Sequence, residues 1–163
     1  MGRKYVICDI DDTLGANPLF TELLPKDNTC EAWQNYYADI NYHKDFTINW
    51  NMVEIIKSLA QKYIILFITS REDIPNGKIT RNTLDSLSQM FEDKIVYKLY
   101  MRPYQDLRSS AEVKEDLFTI HGYNPEDIVI AFDDDISNIE MFSRYGINTS
   151  LVKLGDKTWK YIK

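Results

Sequence analysis

Four short apolar runs punctuate the chain, at residues 5–8, 63–68, 95–101 and 128–132. Each is rich in β-branched or aromatic residues, and none alternates strictly between apolar and polar positions. Strands covered on both faces read this way, so the runs predict a parallel sheet between two layers of helices. The stretches between them carry a helical period instead. Met52, Ile55, Ile56 and Leu59 form an apolar stripe, opened by Asn51 with Glu54 three residues on. Over residues 80–91, Leu84, Leu87, Met90 and Phe91 share a face. A third helix over 110–121 starts from a capping box of Ser109 and Glu112. It carries Val113, Leu117 and Ile120, and Gly122 follows as its C′ residue. The last helix runs over 136–145 and stops at Gly146, before a short fifth strand over 149–152. Strand and helix alternate throughout, which predicts an α/β, doubly wound, Rossmann-like domain spanning residues 1–163.

Residues 15–47 break the alternation. Phe20, Trp33, Tyr36, Tyr37, Tyr42, His43 and Phe46 are mixed there with turn residues, and residues 31–40 predict one short helix. The stretch is too long for an ordinary strand-to-helix loop and predicts a small, aromatic-rich cap inserted after the first strand.

At 163 residues the chain has room for one domain with a full core, and a 44% hydrophobic content excludes disorder. The net charge of -6 argues against general, non-specific nucleic-acid binding but leaves room for a local basic patch. Two cysteines, Cys8 in the first strand and Cys30 in a polar stretch, make neither a disulfide framework nor a zinc site. They fit a reducing, cytoplasmic setting. The N-terminal Met-Gly-Arg-Lys leads into a strand with no apolar signal-peptide region, and no apolar run approaches the roughly 18 residues of a membrane span.

The chemistry begins where the first apolar run ends, at Asp9-Ile10-Asp11-Asp12-Thr13-Leu14. Asp9 and Asp11 alternate, so at strand spacing both side chains project to one side. Two carboxylates about 4 Å apart at an effective dielectric near 20 repel by roughly 4 kcal/mol. Such crowding is tolerated if a cation sits between them, if one is protonated, or if both are exposed. A calcium loop is excluded, because its glycine and twelfth-position acid fall on Leu14 and Phe20.

Ligands of open parallel sheets sit beyond the carboxyl ends of the strands. Those ends bring Asp9 and Asp11, then Thr69, Ser70 and Arg71, then Arg102, then Asp133, Asp134 and Asp135, with Lys114 joining from the start of its helix. Singly, Ser70 and Lys114 read as ordinary surface residues, and the triple aspartate as a helix cap. Together they fit phosphoryl transfer, with a carboxylate nucleophile, a site for Mg²⁺, and a hydroxyl and cations for the phosphoryl oxygens. A phospho-receiver domain uses similar parts, but its second acids do not follow the threonine and lysine as they do here.

The loop resembles motif I of the haloacid-dehalogenase (HAD) superfamily, D-x-D-x-T. Thr69 matches motif II, Lys114 motif III, and Asp133-Asp134 with Asn138 motif IV. Within the superfamily the chain is similar to the phosphatase domain of phage-type polynucleotide kinase-phosphatases. That likeness rests on Thr69-Ser70-Arg71-Glu72, Met101-Arg102 with Asp106 and Arg108, residues 113–118, and Ile130-Ala131-Phe132-Asp133-Asp134. Ser110 stands where that family has an acid, and its arginine after motif I is absent.

The resemblance implies a Mg²⁺-dependent phosphomonoesterase, since dehalogenases lack the second motif I aspartate that Asp11 supplies. It implies Asp9 as nucleophile, Asp11 as acid and base, and Thr69 and Lys114 on the phosphoryl group. Mg²⁺ falls to Asp9, the Asp11 carbonyl and Asp134, with Asp133 in support, and substrate binding to Ser70, Arg71, Arg102 and Arg108. A nucleotide or a nucleic-acid 3′ terminus is the expected substrate. A 5′-nucleotidase and a binding module without turnover are the alternatives.

Overall fold

The computed structural model describes residues 2–16, 24–38 and 46–153; Phe20, Tyr42 and His43 of the expected cap, and residues 39–40 of its expected helix, lie outside them. In chain order the elements are β1 (Tyr5–Cys8), β2 (Gly15–Ala16), α1 (Cys30–Ala38), β3 (Thr47–Ile48), α2 (Trp50–Ala60) and β4 (Ile64–Glu72). There follow α3 (Lys78–Phe91), β5 (Tyr97–Arg102), α4 (Ser110–Ile120), a short 3₁₀ turn (Pro125–Asp127), β6 (Ile128–Asp133), α5 (Ile136–Arg144) and β7 (Thr149–Leu151). Five strands pair in the order β5-β4-β1-β6-β7, every pair parallel.

Strand periodicity explains why the apolar runs are continuous. Val6 and Cys8 of the central β1 face Met52, Val53 and Ile56 of α2 and Leu87, Met90 and Phe91 of α3. Ile7 faces the other way, toward Val113, Leu117 and Phe118 of α4 and Met141 and Phe142 of α5. A central strand covered on both faces, as β1 is, has no position for a polar residue until it ends.

Several expected details shift. The cap of α2 is Asn49, whose side chain accepts from the Met52 N–H, so the helix starts before the expected Asn51. Its buried stripe is Met52, Val53 and Ile56, while Ile55 is 46% exposed beside an apolar groove formed with Leu59, Val129 and Ile130. Leu84 and Ile120 also face outward. One sheet face asks only for a narrow stripe from each helix, and Ile79 with Thr83, and Lys114 with Phe118, complete those stripes instead. The capping box of Ser109 and Glu112 forms on both sides. Gly122 and Gly146 take positive φ just past their helices, as αL caps require.

Only part of the expected cap falls among the described residues. Gly15 and Ala16 pair antiparallel with Ile48 and Thr47, closing the base of the insertion. Gly15 fits only as glycine, because a Cβ there would lie 2.5 Å from the Phe46 ring and 2.6 Å from the Thr47 carbonyl oxygen. Among the described residues, no helix is long and apolar enough to cross a membrane.

Candidate active site

The carboxyl ends of β1, β4 and β6 deliver their polar residues to one edge of the sheet. After β1 the chain turns sharply. The Asp9 N–H donates to the Phe132 carbonyl (3.0 Å), Asp12 takes φ 57°, and the Leu14 N–H returns to the Ile10 carbonyl (2.9 Å). Asp9 is thereby fixed between β4 and β6. Lys114, 2% exposed, reaches in from α4 and donates to Asp9 Oδ1 and Asp133 Oδ2, both at 2.7 Å. The Thr13 hydroxyl lies 3.4 Å from Asp9 Oδ2. Asn138 donates to Asp133 Oδ1 (2.9 Å) from α5, and the Asp135 N–H donates to the same oxygen (3.0 Å).

Carboxylate oxygens of Asp9, Asp133 and Asp134 lie within 4.8 Å of one another. Burial pushes the Asp9 carboxyl well up; Lys114 opposes this, and Asp133, Asp134 and Asp11 add to it. Burial, then Asp133 and Asp12, raise Asp134 to about 7. Burial works against the Lys114 ammonium, but Asp9 and Asp133 outweigh it and hold the group charged. Asp9 and Asp133, both buried, thus share one ammonium with Asp134 beside them, and the cluster has more acids than cations to balance them. An all-oxygen donor set of that charge fits a hard divalent cation.

Asp11 has its own counter-ion. Arg71 Nε and Nη2 donate to its two oxygens, both at 2.8 Å, and Arg71 is 1% exposed. Arg71 comes from the end of β4, where pairing with β5 breaks register between Thr69 and Glu72. That irregularity turns the Ser70-Arg71 segment out of the ladder. Arg71 Nη1 donates to Thr83 of α3 (3.1 Å), and the guanidinium carbon sits 5.8 Å from the centre of the Phe46 ring. Burial disfavours the guanidinium charge, and the Asp11 charge and hydrogen bonds more than restore it. The expected repulsion between Asp9 and Asp11 is therefore relieved by two separate cations.

Beside this cluster opens a cleft of about 340 Å³. One wall is Asn28, Cys30, Trp33 and Tyr37, from α1 and the residues before it. The other is Ser70, Glu72, Arg102 and residues 106–110. Trp33 and Tyr37 stack at 6.0 Å, and the indole N–H is fixed on Asn28 (2.9 Å). Burial first, then the nearby Asp11 charge, raise the Tyr36 and Tyr37 phenols, which keeps them neutral. Arg102 supports the loop, donating to the carbonyls of Ser70, Asp106 and Arg108. Arg108 pairs with Asp106 and Asp116 at the rim. The hydroxyls of Ser70 and Ser110 meet at 2.7 Å, and Asn138 donates to Ser110 (3.1 Å). The cleft is thus linked to Asp133 through Asn138.

The structure brings Asp9, Lys114, Asp133 and Asp134 together. Thr69 is fully buried in the adjoining strand end, and its oxygen accepts the Arg71 N–H (3.2 Å). Ser70, Arg102 and Arg108 reach the cleft, while Arg71 faces Asp11 behind it. Sequence reasoning passed over Thr83, whose one signal is a hydroxyl on the buried face of a helix. It also set Ser110 aside as a departure, although its hydroxyl joins the cleft to the acids.

Fold and site together define a haloacid-dehalogenase-like phosphatase. The chain belongs to the family of polynucleotide kinase PNKP phosphatase domains, whose profile matches residues 3–156. No curated protein matches the sequence. Two solved structures of a Pnkp1/Rnl/Hen1 complex, one of them described as an RNA repair complex, contain chains 21% and 24% identical to this one, each with a TM-score of 0.66. Each match covers 94% of this chain but 43% and 47% of those chains, so the chain spans less than half their length. A HAD family enzyme from Bacteroides thetaiotaomicron, in complex with magnesium and inorganic phosphate, is 12% identical with a TM-score of 0.57. That match covers 99% of this chain and all of the other.

Proposed function

We propose that this chain removes the phosphate from a nucleic-acid 3′ terminus or a nucleotide, through a phosphoryl-aspartate on Asp9. The observation that carries the reading is the sheltered Asp9–Asp133–Asp134 cluster on the Lys114 ammonium, opening beside a cleft with a stacked aromatic wall. Mg²⁺ held by Asp9, Asp134 and the Asp11 carbonyl, with Asp133 in support, would neutralise charge on the phosphoryl oxygens.

Lys114 donates to Asp9 Oδ1 and the Thr13 hydroxyl to Oδ2, which together orient the carboxylate for attack. As Asp9 bonds to phosphorus, Asp11 delivers a proton to the departing oxygen, then takes one from the water that frees the phosphate. Lys114 and the Thr69 hydroxyl hold the phosphoryl oxygens as charge gathers on them. Residues 15–47 serve as a cap whose helix α1 places Trp33 and Tyr37 against the base, because bases stack on such rings. Ser70, Arg102 and Arg108 line the path of the leaving group. The match to the PNKP phosphatase family supports a polynucleotide end as substrate. The cleft supports a second reading, a nucleotidase, since its volume is about 340 Å³ and its Arg108 is already paired with Asp106 and Asp116.

Mg²⁺-dependent kcat/KM for a 3′-phosphorylated mononucleotide, trinucleotide and decanucleotide at two salt concentrations tests the reading. End processing requires values that rise over the first two or three nucleotides and fall with salt. Equal values at all lengths leave a nucleotidase, and no turnover of any of them or of a nucleoside 5′-monophosphate leaves a binding module.

A further inference from the structure

We propose that the cleft beside the acidic cluster is a guanine pocket, in which Glu72 and Arg102 read the edge of the base. The proposal rests on the phosphatase reading above and names the leaving group for it. Glu72, at the end of β4, is the register partner of Arg102 on β5, and both line the cleft. Opposite charges on neighbouring strands attract. Even so, among the described residues neither side chain is spent on an ion pair. Glu72 is 6% exposed. Its Oε1 accepts the Gln105 N–H, from a residue at φ 61°, and its Oε2 accepts no hydrogen bond. Arg102 gives Nε and Nη1 to the carbonyls of Ser70, Asp106 and Arg108, and its Nη2 makes none. Both atoms open on the cleft. A carboxylate so nearly buried and only half satisfied is costly, and a ligand in the cleft removes that cost.

Polarity decides which ligand. A carboxylate offers acceptors only and a guanidinium donors only. Oε2 and the remaining lone pair of Oε1 call for two adjacent donors, and Nη2 calls for an acceptor beside them. Guanine carries that row on one edge, with its N2 amino group and N1–H for Glu72 and its O6 for Arg102. Adenine reverses the row, setting its N1 acceptor against the carboxylate and its N6 amino group against the guanidinium. Uracil keeps N3–H and O4 but puts O2 where the second donor belongs. A phosphodiester is disfavoured here, because Glu72 meets it with like charge. Trp33 and Tyr37 on the other wall give the ring its stacking surface. A site built to hydrogen-bond one edge rejects the base that leaves its polar groups unpaired.

The test measures kcat/KM with Mg²⁺ for guanosine, inosine, adenosine and uridine monophosphates, each as the 3′- and the 5′-phosphate. Guanosine should exceed adenosine and uridine about tenfold, with inosine, which lacks only the N2 amino group, in between. Glu72→Gln keeps an oxygen for the Gln105 N–H but turns a donor amide toward the base. Its guanosine-to-adenosine ratio should fall about tenfold, whereas the loss of a residue that only pins the loop leaves the ratio unmoved. Melting temperature reports any loss of that pin. Wild-type guanosine and adenosine values within twofold of each other, or an unchanged ratio in Glu72→Gln, overturn the proposal. Should Glu72→Gln not fold, the wild-type series decides, and inosine equal to guanosine then counts against the edge contacts. Wild-type protein that turns over none of these nucleotides overturns the phosphatase reading instead, and Kd values for guanosine and adenosine, from calorimetry, then decide the pocket by the same criteria.

Discussion

Replacing Lys114 with Met removes the ammonium that bridges Asp9 and Asp133 while nearly keeping the length of the side chain. Each contact is 2.7 Å. At an effective dielectric near 20, that distance corresponds to about 6 kcal/mol of gross attraction per pair. The acids left behind lie within 4.8 Å of one another. At the same dielectric each pair of them would repel by about 3 kcal/mol or more. The net cost is smaller, because the ammonium also loses its burial penalty. Removing one partner of a buried pair costs about 3–5 kcal/mol. Set against a total stability of about 5–15 kcal/mol, that endangers the fold without metal. The acids can blunt the loss by taking up protons, which burial already favours at Asp9. The cost should therefore be larger at pH 8 than at pH 5. Urea denaturation in EDTA at both values reads it. A difference below about 1 kcal/mol at pH 8, or a larger cost at pH 5, would refute the assignment of Lys114 as the neutralising charge.

Three further outcomes follow from the geometry. The Asp134 carboxyl is raised to about 7, so its contribution to metal-free stability is complete below the ordinary carboxylate range and is lost as pH rises through about 7. Metal-free protein should melt lower at pH 8 than at pH 5, less so in Asp134→Asn, and Mg²⁺ should raise Tm more at pH 8, where no proton must be displaced; equal Mg²⁺ shifts would contradict this. Trp33→Ala removes one member of the ring pair in the cleft wall and should raise KM about tenfold for a nucleotide but not for acetyl phosphate, since a base–aromatic stack contributes about 1–3 kcal/mol; a parallel rise for both would place the leaving group elsewhere. Gly15→Ala forces a Cβ against Phe46 and the Thr47 backbone and should destabilise the protein by about 1–3 kcal/mol in urea, with unchanged stability as the contrary result.

The parts legible in the sequence are those where a polar residue interrupts a pattern that burial enforces. Asp9 and Asp133 follow runs with no exposed position, so their place at the sheet edge could be read from chain order. Lys114 could be placed because Ser109 and Glu112 fix where its helix begins, although nothing in the pattern says that its stem lies on the buried face. Arg71 was legible as a strand-end cation, but its direction depends on the register break after Thr69, which no local pattern records. Thr83 was invisible because a threonine on an apolar helix face is tolerated with or without a partner. The aromatic wall was readable only as composition, since Trp33 and Tyr37 come to line the cleft only where α1 faces the end of β5 and the loop after it. Ile55 misled because an apolar residue on a helix is buried only where a sheet faces it, and the groove beside β6 leaves it open.

The central claim is that phosphorus passes through Asp9, and stereochemistry at phosphorus tests it most directly. Each in-line displacement inverts the centre, so attack by Asp9 followed by attack of water gives net retention. Hydrolysis of an isotopically chiral thiophosphate ester, with the configuration of the released thiophosphate determined, should therefore show retention. Inversion would mean that water attacks the substrate itself, and Asp9 would then be no nucleophile.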